Sequence, residues 1–233
     1  MFPAVFRAIG CGIAVALTGW RGSKHIAKED LVRKLIAVPI AAVLLVGAGR
    51  AYAQEATPGP GVVEVTIVPG GVGFVTSKNG QPSFGNYGFG FATTWNINSI
   101  VGVEGEIAAL ISTSSDLQFG DLNSHTKAPN FLNYNVSGVL TAARFGPSAV
   151  YAAGGIGGLT MFERVGIGVP DDSNFLVGNV GGGIKWYAPN SRWGLRGDYR
   201  FLATRSSDGA PAFFGQSNRY AHKIYAGVIV NVQ

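Results

Sequence analysis

Eight charged side chains, Glu64, Glu104, Glu106, Lys185, Arg196, Asp198, Arg200 and Lys223, fall between apolar residues in alternating stretches of the chain. If those stretches are strands, their polar sides bring four acids and four bases onto one face. Glu104 and Glu106 share that face, the arrangement two carboxylates need for general acid–base work. Balanced charges suit a different task, because a buried ion without a partner costs several kcal/mol and a buried pair does not leave one. Arginine neighbours account for the glutamates without any reaction. The expected arrangement is therefore a salt-bridged network that fills its enclosure, with a narrow ion path as the alternative.

Other candidates are weaker. Asp171-Asp172 is an acidic pair of the kind a membrane-embedded aspartyl protease would use, and His125 and His222 are the histidines beyond the first quarter. No spacing links these four residues, and His222-Lys223-Ile224 lacks a neighbouring serine for hydrolase chemistry. Gly154-Gly155-Ile156-Gly157-Gly158 contains no dinucleotide fingerprint, and Trp186 follows Lys185 where a phosphate-binding loop needs Ser or Thr. Asn135-Val136-Ser137 matches a glycosylation sequon but falls inside an alternating stretch. No catalytic residue, cofactor or metal is expected.

These residues must be positioned by strands. Beyond the Pro/Gly linker at 54–61, apolar and polar residues alternate with a period of two and no helical stripe appears. The alternation predicts eight strands: Val62–Val68, Asn86–Trp95, Ile100–Ile111, Leu132–Ala143, Ala149–Met161, Asn174–Tyr187, Arg192–Thr204 and Arg219–Val232. Arg192–Thr204 is the clearest, with Trp193, Leu195, Tyr199 and Phe201 opposed to Arg196, Asp198 and Arg200. Ala149–Met161 is so rich in glycine that its facing cannot be read.

The 233-residue chain has a net charge of +5, a balance that invites nucleic-acid binding, but the charge is unevenly placed. Residues 1–53 hold seven Lys/Arg and two acids, whereas residues 54–233 hold eleven of each. Without a basic run in that neutral part, a nucleic-acid partner is not expected. The basic quarter reads as an address. Arg33 and Lys34 precede an apolar run of 14 residues, Leu35 to Ala48, and Ala51-Tyr52-Ala53 supplies small residues for cleavage before Gln54. The run is shorter than the roughly 20 residues of a spanning helix. Residues 31–53 are thus expected to be a secretory signal peptide. Residues 1–30 form an extension whose simplest account is a start assigned too early; within it, Cys11 only faintly matches a lipoprotein box. Cleavage would remove Cys11, the only cysteine, so the exported product has no disulfide.

Links between the strands alternate in length. Asn96–Ser99, Phe145–Ser148 and Ala188–Ser191 are short, whereas Ser77–Gly85, Ser112–Phe131, Phe162–Ser173 and Arg205–Asn218 are long and polar. An up-and-down antiparallel barrel spanning a membrane has this rhythm, with short periplasmic turns and longer external loops. Tyr87, Trp95, Trp186, Tyr187, Trp193 and Tyr220 lie near strand ends, where interfacial girdles belong. A secreted soluble barrel of lipocalin type would alternate in the same way with its apolar face inward. Few strand charges, both signs on one face, and 29 glycines among residues 54–233 favour the membrane form.

The stretches VEVTIVPGG (63–71), PSFGNYGFGFATTWNI (82–97), VGVEGEI (101–107), GNVGGGIKWYAPNSRWGLRGDYRF (178–201) and YAGVIVNV (225–232) resemble small bacterial outer-membrane β-barrel proteins of the OmpA/OmpX type. The resemblance spans essentially all of residues 54–233 and is most specific in KWYAP…WGLRGDYR. It implies an all-β, eight-stranded antiparallel transmembrane barrel in a Gram-negative outer membrane, with a structural, surface-interaction or porin-like role. The partners it implies are outer-membrane lipid, lipopolysaccharide and, during insertion, the barrel-assembly machinery. A rim-active hydrolase acting on lipid A or peptide is the enzymatic alternative. The chain departs from the family in ending Val230-Asn231-Val232-Gln233, where an aromatic residue is usual.

Overall fold

Among the described residues the chain forms ten strands: β1 (Val63–Val75), β2 (Phe84–Asn96), β3 (Val101–Ser112), β4 (Ser114–Phe119), β5 (Leu122–Lys127), β6 (Phe131–Phe145), β7 (Ser148–Met161), β8 (Ser173–Tyr187), β9 (Trp193–Thr204) and β10 (Arg219–Val232). The computed structural model describes residues 58–232 except 79–80, 113, 120–121, 164–168, 170 and 212–213. The expected extension at 1–30, the signal peptide at 31–53 and Cys11 lie outside the described residues. Eight strands close a barrel in the order β1-β10-β9-β8-β7-β6-β3-β2, and each neighbouring pair is antiparallel. The eight-stranded antiparallel barrel that the alternation predicts and the resemblance implies is the fold observed.

Two features depart from that reading. The long link between the third and fourth barrel strands contains its own hairpin, β4–β5, paired from Ser114↔Lys127 to Phe119↔Leu122. And β1 does not stop at Val68. Its register shifts between Val68 and Gly71 against β2, and between Ile67 and Gly70 against β10, so Pro69-Gly70 forms a bulge. Proline cannot donate to a ladder, and a bulge is where a strand tolerates it. The inserted residue reverses the facing: Glu64, Thr66 and Val68 point inward before the bulge, Gly73 after it, while Val72 and Phe74 turn outward.

Turn chemistry fixes the short ends. Asn98 Oδ1 accepts from the amides of Ile100 and Val101 at 2.8 and 2.7 Å, which closes the β2–β3 turn. Gly146 and Asn190, both at φ 57°, supply the left-handed residues of the other two turns. The barrel strands of 12–15 residues rise roughly 40–50 Å at ~3.3 Å per residue, and tilted at about 45° they still cover roughly 30 Å of hydrocarbon.

The two faces have opposite chemistry. Outward lie Ile107, Val136, Ile156, Leu176, Val180, Leu195 and Ile224, with Ile156 69% exposed. Inward lie Glu104, Arg196, Asn133 and Lys223, with Glu104 1% exposed. A soluble barrel has the reverse arrangement, so the observed one belongs to a barrel whose outer wall meets lipid. Among the described residues no helix is long and apolar enough to cross a membrane, and the strands do the crossing. The largest apolar cluster sits at the loop end of the lumen. There Phe84, Phe131 and Phe175 from the wall meet Leu117, Val169 and Phe214 from three of the external links.

Candidate functional site

The lumen is the chemically dense part of the molecule. On β9, Arg196, Asp198 and Arg200 are two residues apart and so point the same way. Arg196 donates from Nη1 to Glu104 Oε2 at 2.5 Å and from Nη2 to Glu104 Oε1 at 3.1 Å, a bidentate pair. Its Nη2 also meets Asp198 Oδ2 at 2.6 Å, and its Nε donates to Tyr151 Oη at 2.7 Å. Arg200 completes the group, donating to Glu104 Oε1 at 2.9 Å, Asp198 Oδ1 at 2.7 Å and Asn179 Oδ1 at 3.3 Å. Tyr151 donates its hydroxyl to Asp198, and Thr94 Oγ1 donates to Glu104 Oε2 at 2.8 Å.

Two smaller groups flank this centre. Towards the turns, Lys185 Nζ meets Glu64 Oε2 at 2.5 Å, while Tyr187 Oη and Asn96 Nδ2 donate to Glu64 Oε1 at 3.1 and 3.0 Å. Towards the loops, Lys223 pairs with Glu106, whose other oxygen accepts from Tyr225 Oη at 3.3 Å. All eight charged residues picked out by the alternation thus sit inside the barrel, each in contact with an opposite charge.

Glycines leave room for this layer. Gly183 faces the lumen from β8, and a Cβ there would overlap the Gly197 carbonyl oxygen and lie 2.7 Å from Tyr151 Oη. The wall is pared down where the tyrosine and arginine side chains cross.

Three buried phenols do work that the alternation did not assign. Tyr151, Tyr187 and Tyr225 are each no more than 5% exposed and each donates to a carboxylate of the network. Tyr187 corrects the expected girdle: it lies two residues after Lys185, shares its phase and points inward, so it is a lumen residue. Strand phase was the signal that could have found Tyr187 and Tyr225, which stand two residues from Lys185 and Lys223, whereas the glycine-rich strand of Tyr151 gave no phase to read. The expected balance of four acids and four bases also needs amendment, because Arg219, 1% exposed, faces the lumen mouth as a fifth cation.

Residues 39–231 match the Outer membrane protein beta-barrel domain. The chain belongs to that family. This outer-membrane barrel is similar in fold to Neisserial surface protein A (NspA), at TM-score 0.53 and 12% identity over 74% of this chain and 98% of that one. It is also similar to OprG from Pseudomonas aeruginosa, at TM-score 0.47 and 14% identity over 77% of this chain and 100% of that one. A third likeness is to Ail, the attachment invasion locus protein of Yersinia pestis, at TM-score 0.39 and 14% identity over 74% and 99%. No curated protein sequence matches the chain. Family membership places the protein in a bacterial outer membrane, with lipid as the environment of its outward face.

The remaining candidates of the outer-membrane barrel are scattered. His222 lies on the outward side of β10, where its Nδ1 is 2.8 Å from Tyr199 Oη and its ring stacks on Tyr199 and meets Phe201 edge-on. Asp172 Oδ1 accepts the Glu163 amide at 2.8 Å and so braces the β7–β8 loop, in which Asp171 is exposed. His125 stands on β5 opposite Asp116 in the hairpin register. His222 is therefore part of the lipid-facing aromatic belt and does not join Asp171 and Asp172. Among the described residues no group of three His, Cys, Asp or Glu could hold a metal ion.

Proposed function

We propose that residues 54–233 act as a non-enzymatic integral outer-membrane barrel whose lumen is closed by its own ion pairs, and that its role is structural or surface-interacting. Residues 31–53 are its signal peptide, cut after Ala53. Lipopolysaccharide of the outer leaflet and the barrel-assembly machinery during insertion are its partners in the envelope.

The observation that carries this reading is the pairing of every charge in the middle of the lumen, with Arg196 and Glu104 bonded directly across it. An eight-stranded barrel has room for side chains and little else. Here the side chains are bound to one another, so ions have no hydrated path, and the external loops are the surface left free for interaction.

Conductance across a planar bilayer tests the reading. The wild-type barrel is expected to show no steady open level, and the quadruple variant Glu104→Ser, Arg196→Ser, Asp198→Ser, Arg200→Ser is expected to show one. A steady, ohmic open level in wild type that the quadruple variant leaves unchanged would overturn it.

A further inference from the structure

Arg219 differs from every other cation in the lumen. Lys185, Arg196, Arg200 and Lys223 each touch a carboxylate, whereas among the described residues the hydrogen bonds of Arg219 all go to neutral carbonyls. Its Nε and Nη2 donate to Thr76 O at 3.1 and 2.7 Å, Nη2 also to Pro82 O at 2.6 Å, and Nη1 to Gln81 Oε1 at 2.9 Å. Among the described residues buried in the barrel, five cations face four acids, and Arg219 at the loop-end mouth is the one that touches no acid. A guanidinium removed from water with no counter-charge is costly to keep, and an anion placed against it recovers part of that cost.

Its surroundings are apolar and contain a space. The Phe214 ring lies 5.3 Å from the guanidinium and packs edge-on against Phe131 and Phe175, with centroids at 5.4 and 5.1 Å. Beside it is a cavity of about 20 Å³ lined by Leu110, Leu202 and Phe214 together with Asn86, Arg219 and Lys223, whose own charge is paired with Glu106. Asn86 Oδ1 is buried there without a hydrogen-bond partner. The Phe214 amide donates to Pro211 O at 3.1 Å, and the adjoining Gly215 has φ +98°, a backbone state that other residues rarely adopt. The ring fills the mouth as a ligand's apolar part would.

We propose that the loop-end mouth of the lumen is a binding site for a small amphipathic carboxylate, its head on the Arg219 guanidinium and its tail in the space the Phe214 ring occupies. A carboxylate fits better than a phosphate for two reasons. The surplus is a single charge, and with Nε, both hydrogens of Nη2 and one of Nη1 given to carbonyls the guanidinium keeps one N–H, on Nη1, for a single carboxylate oxygen, where a phosphate asks for several donors.

Equilibrium dialysis of labelled octanoate against the full barrel in phosphatidylcholine nanodiscs, with empty nanodiscs as blank, tests this. Heat-modifiable gel migration confirms the fold of each variant. Phe214→Ala clears the pocket and is expected to bind octanoate saturably, one per barrel and at least tenfold tighter than wild type. Adding Arg219→Met to it should weaken binding about tenfold or more, the loss expected for one charge-assisted hydrogen bond, and Arg219→Lys should retain most of it. Octan-1-ol, which has the tail without the charge, should compete poorly with octanoate on Phe214→Ala itself. The proposal fails if folded Phe214→Ala shows no saturable excess over empty nanodiscs. It fails equally if octan-1-ol competes as well as unlabelled octanoate, or if Arg219→Met binds as Arg219 does.

Discussion

Glu104 and Arg196 stand on opposite sides of the barrel: β3 and β9 are four places apart in a ring of eight strands, yet two hydrogen bonds of 2.5 and 3.1 Å join them. The lumen is thus as wide as one glutamate and one arginine laid end to end. Their bond acts as a strut between walls that otherwise touch only through their neighbours.

Removing the strut should be expensive. Arg196→Met leaves Glu104 and Asp198 facing each other with Arg200 alone to neutralise both. Breaking a buried pair from one side typically costs about 3–5 kcal/mol. Urea unfolding in lipid vesicles is expected to show a loss of that order, and a loss below about 1 kcal/mol would mean that water already enters the centre.

The Lys223–Glu106 pair lends itself to a double-mutant cycle. Lys223→Met alone should cost about 3–5 kcal/mol, because Glu106 is then a buried charge without its cation. Lys223→Met with Glu106→Gln should recover most of that, since a neutral amide can still accept from Tyr225 Oη. The cycle measures the coupling directly, and strictly additive losses would show that the two side chains do not interact.

Glycine substitutions should separate by facing. Gly183→Ala drives a methyl into the Gly197 carbonyl and towards Tyr151, an overpacking expected to cost about 1–3 kcal/mol. Gly178, on the outward side of the same strand, has nothing within 4 Å of such a methyl, so Gly178→Ala should be nearly neutral. Comparing the two unfolding midpoints checks the prediction.

Charge on the outer wall should be penalised by depth. Val136, 61% exposed, lies in the middle of β6, and Val136→Arg is expected to cost about 2–4 kcal/mol in a bilayer. Phe145, at the turn end of the same strand, lies near the interface, where the same change should cost about 0–1 kcal/mol. Equal costs at both sites would place the hydrocarbon elsewhere along the wall.

Alternation made the barrel legible because facing follows from a fixed period, and the eight charges could be assigned to one enclosure before any coordinates. It failed where the period itself broke. Pro69-Gly70 reverses the phase of β1, so the alternation expected from Val62 ends at Val68 and leaves Gly71–Val75 outside the expected strand. In β7, Gly154 faces out and Gly155 faces in, and a strand with glycine on both faces shows no contrast to read. The β4–β5 hairpin was missed because its six-residue strands carry few apolar residues outside Leu117, Phe119 and Leu122. Arg219 escaped because a charged residue at a strand's first position looks like the start of a loop, and only closure of the mouth by Phe214 and the β1–β2 link buries it.

The ionic interior also bears on how the molecule is built. Glu104 and Arg196 are separated by 92 residues of chain, Glu106 and Lys223 by 117, and Glu64 and Lys185 by 121. None of these partners can meet while the strands are still being added to an open sheet. Until β1 joins β10, each charge either waits in water or is exposed to lipid alone, and the second state is forbidding. Insertion must therefore proceed with the seam held open to water, or with many strands crossing together, and the last pairing event is the one that neutralises the interior. Contacts so distant in sequence make for slow assembly, and they also make the finished barrel hard to dismantle one strand at a time.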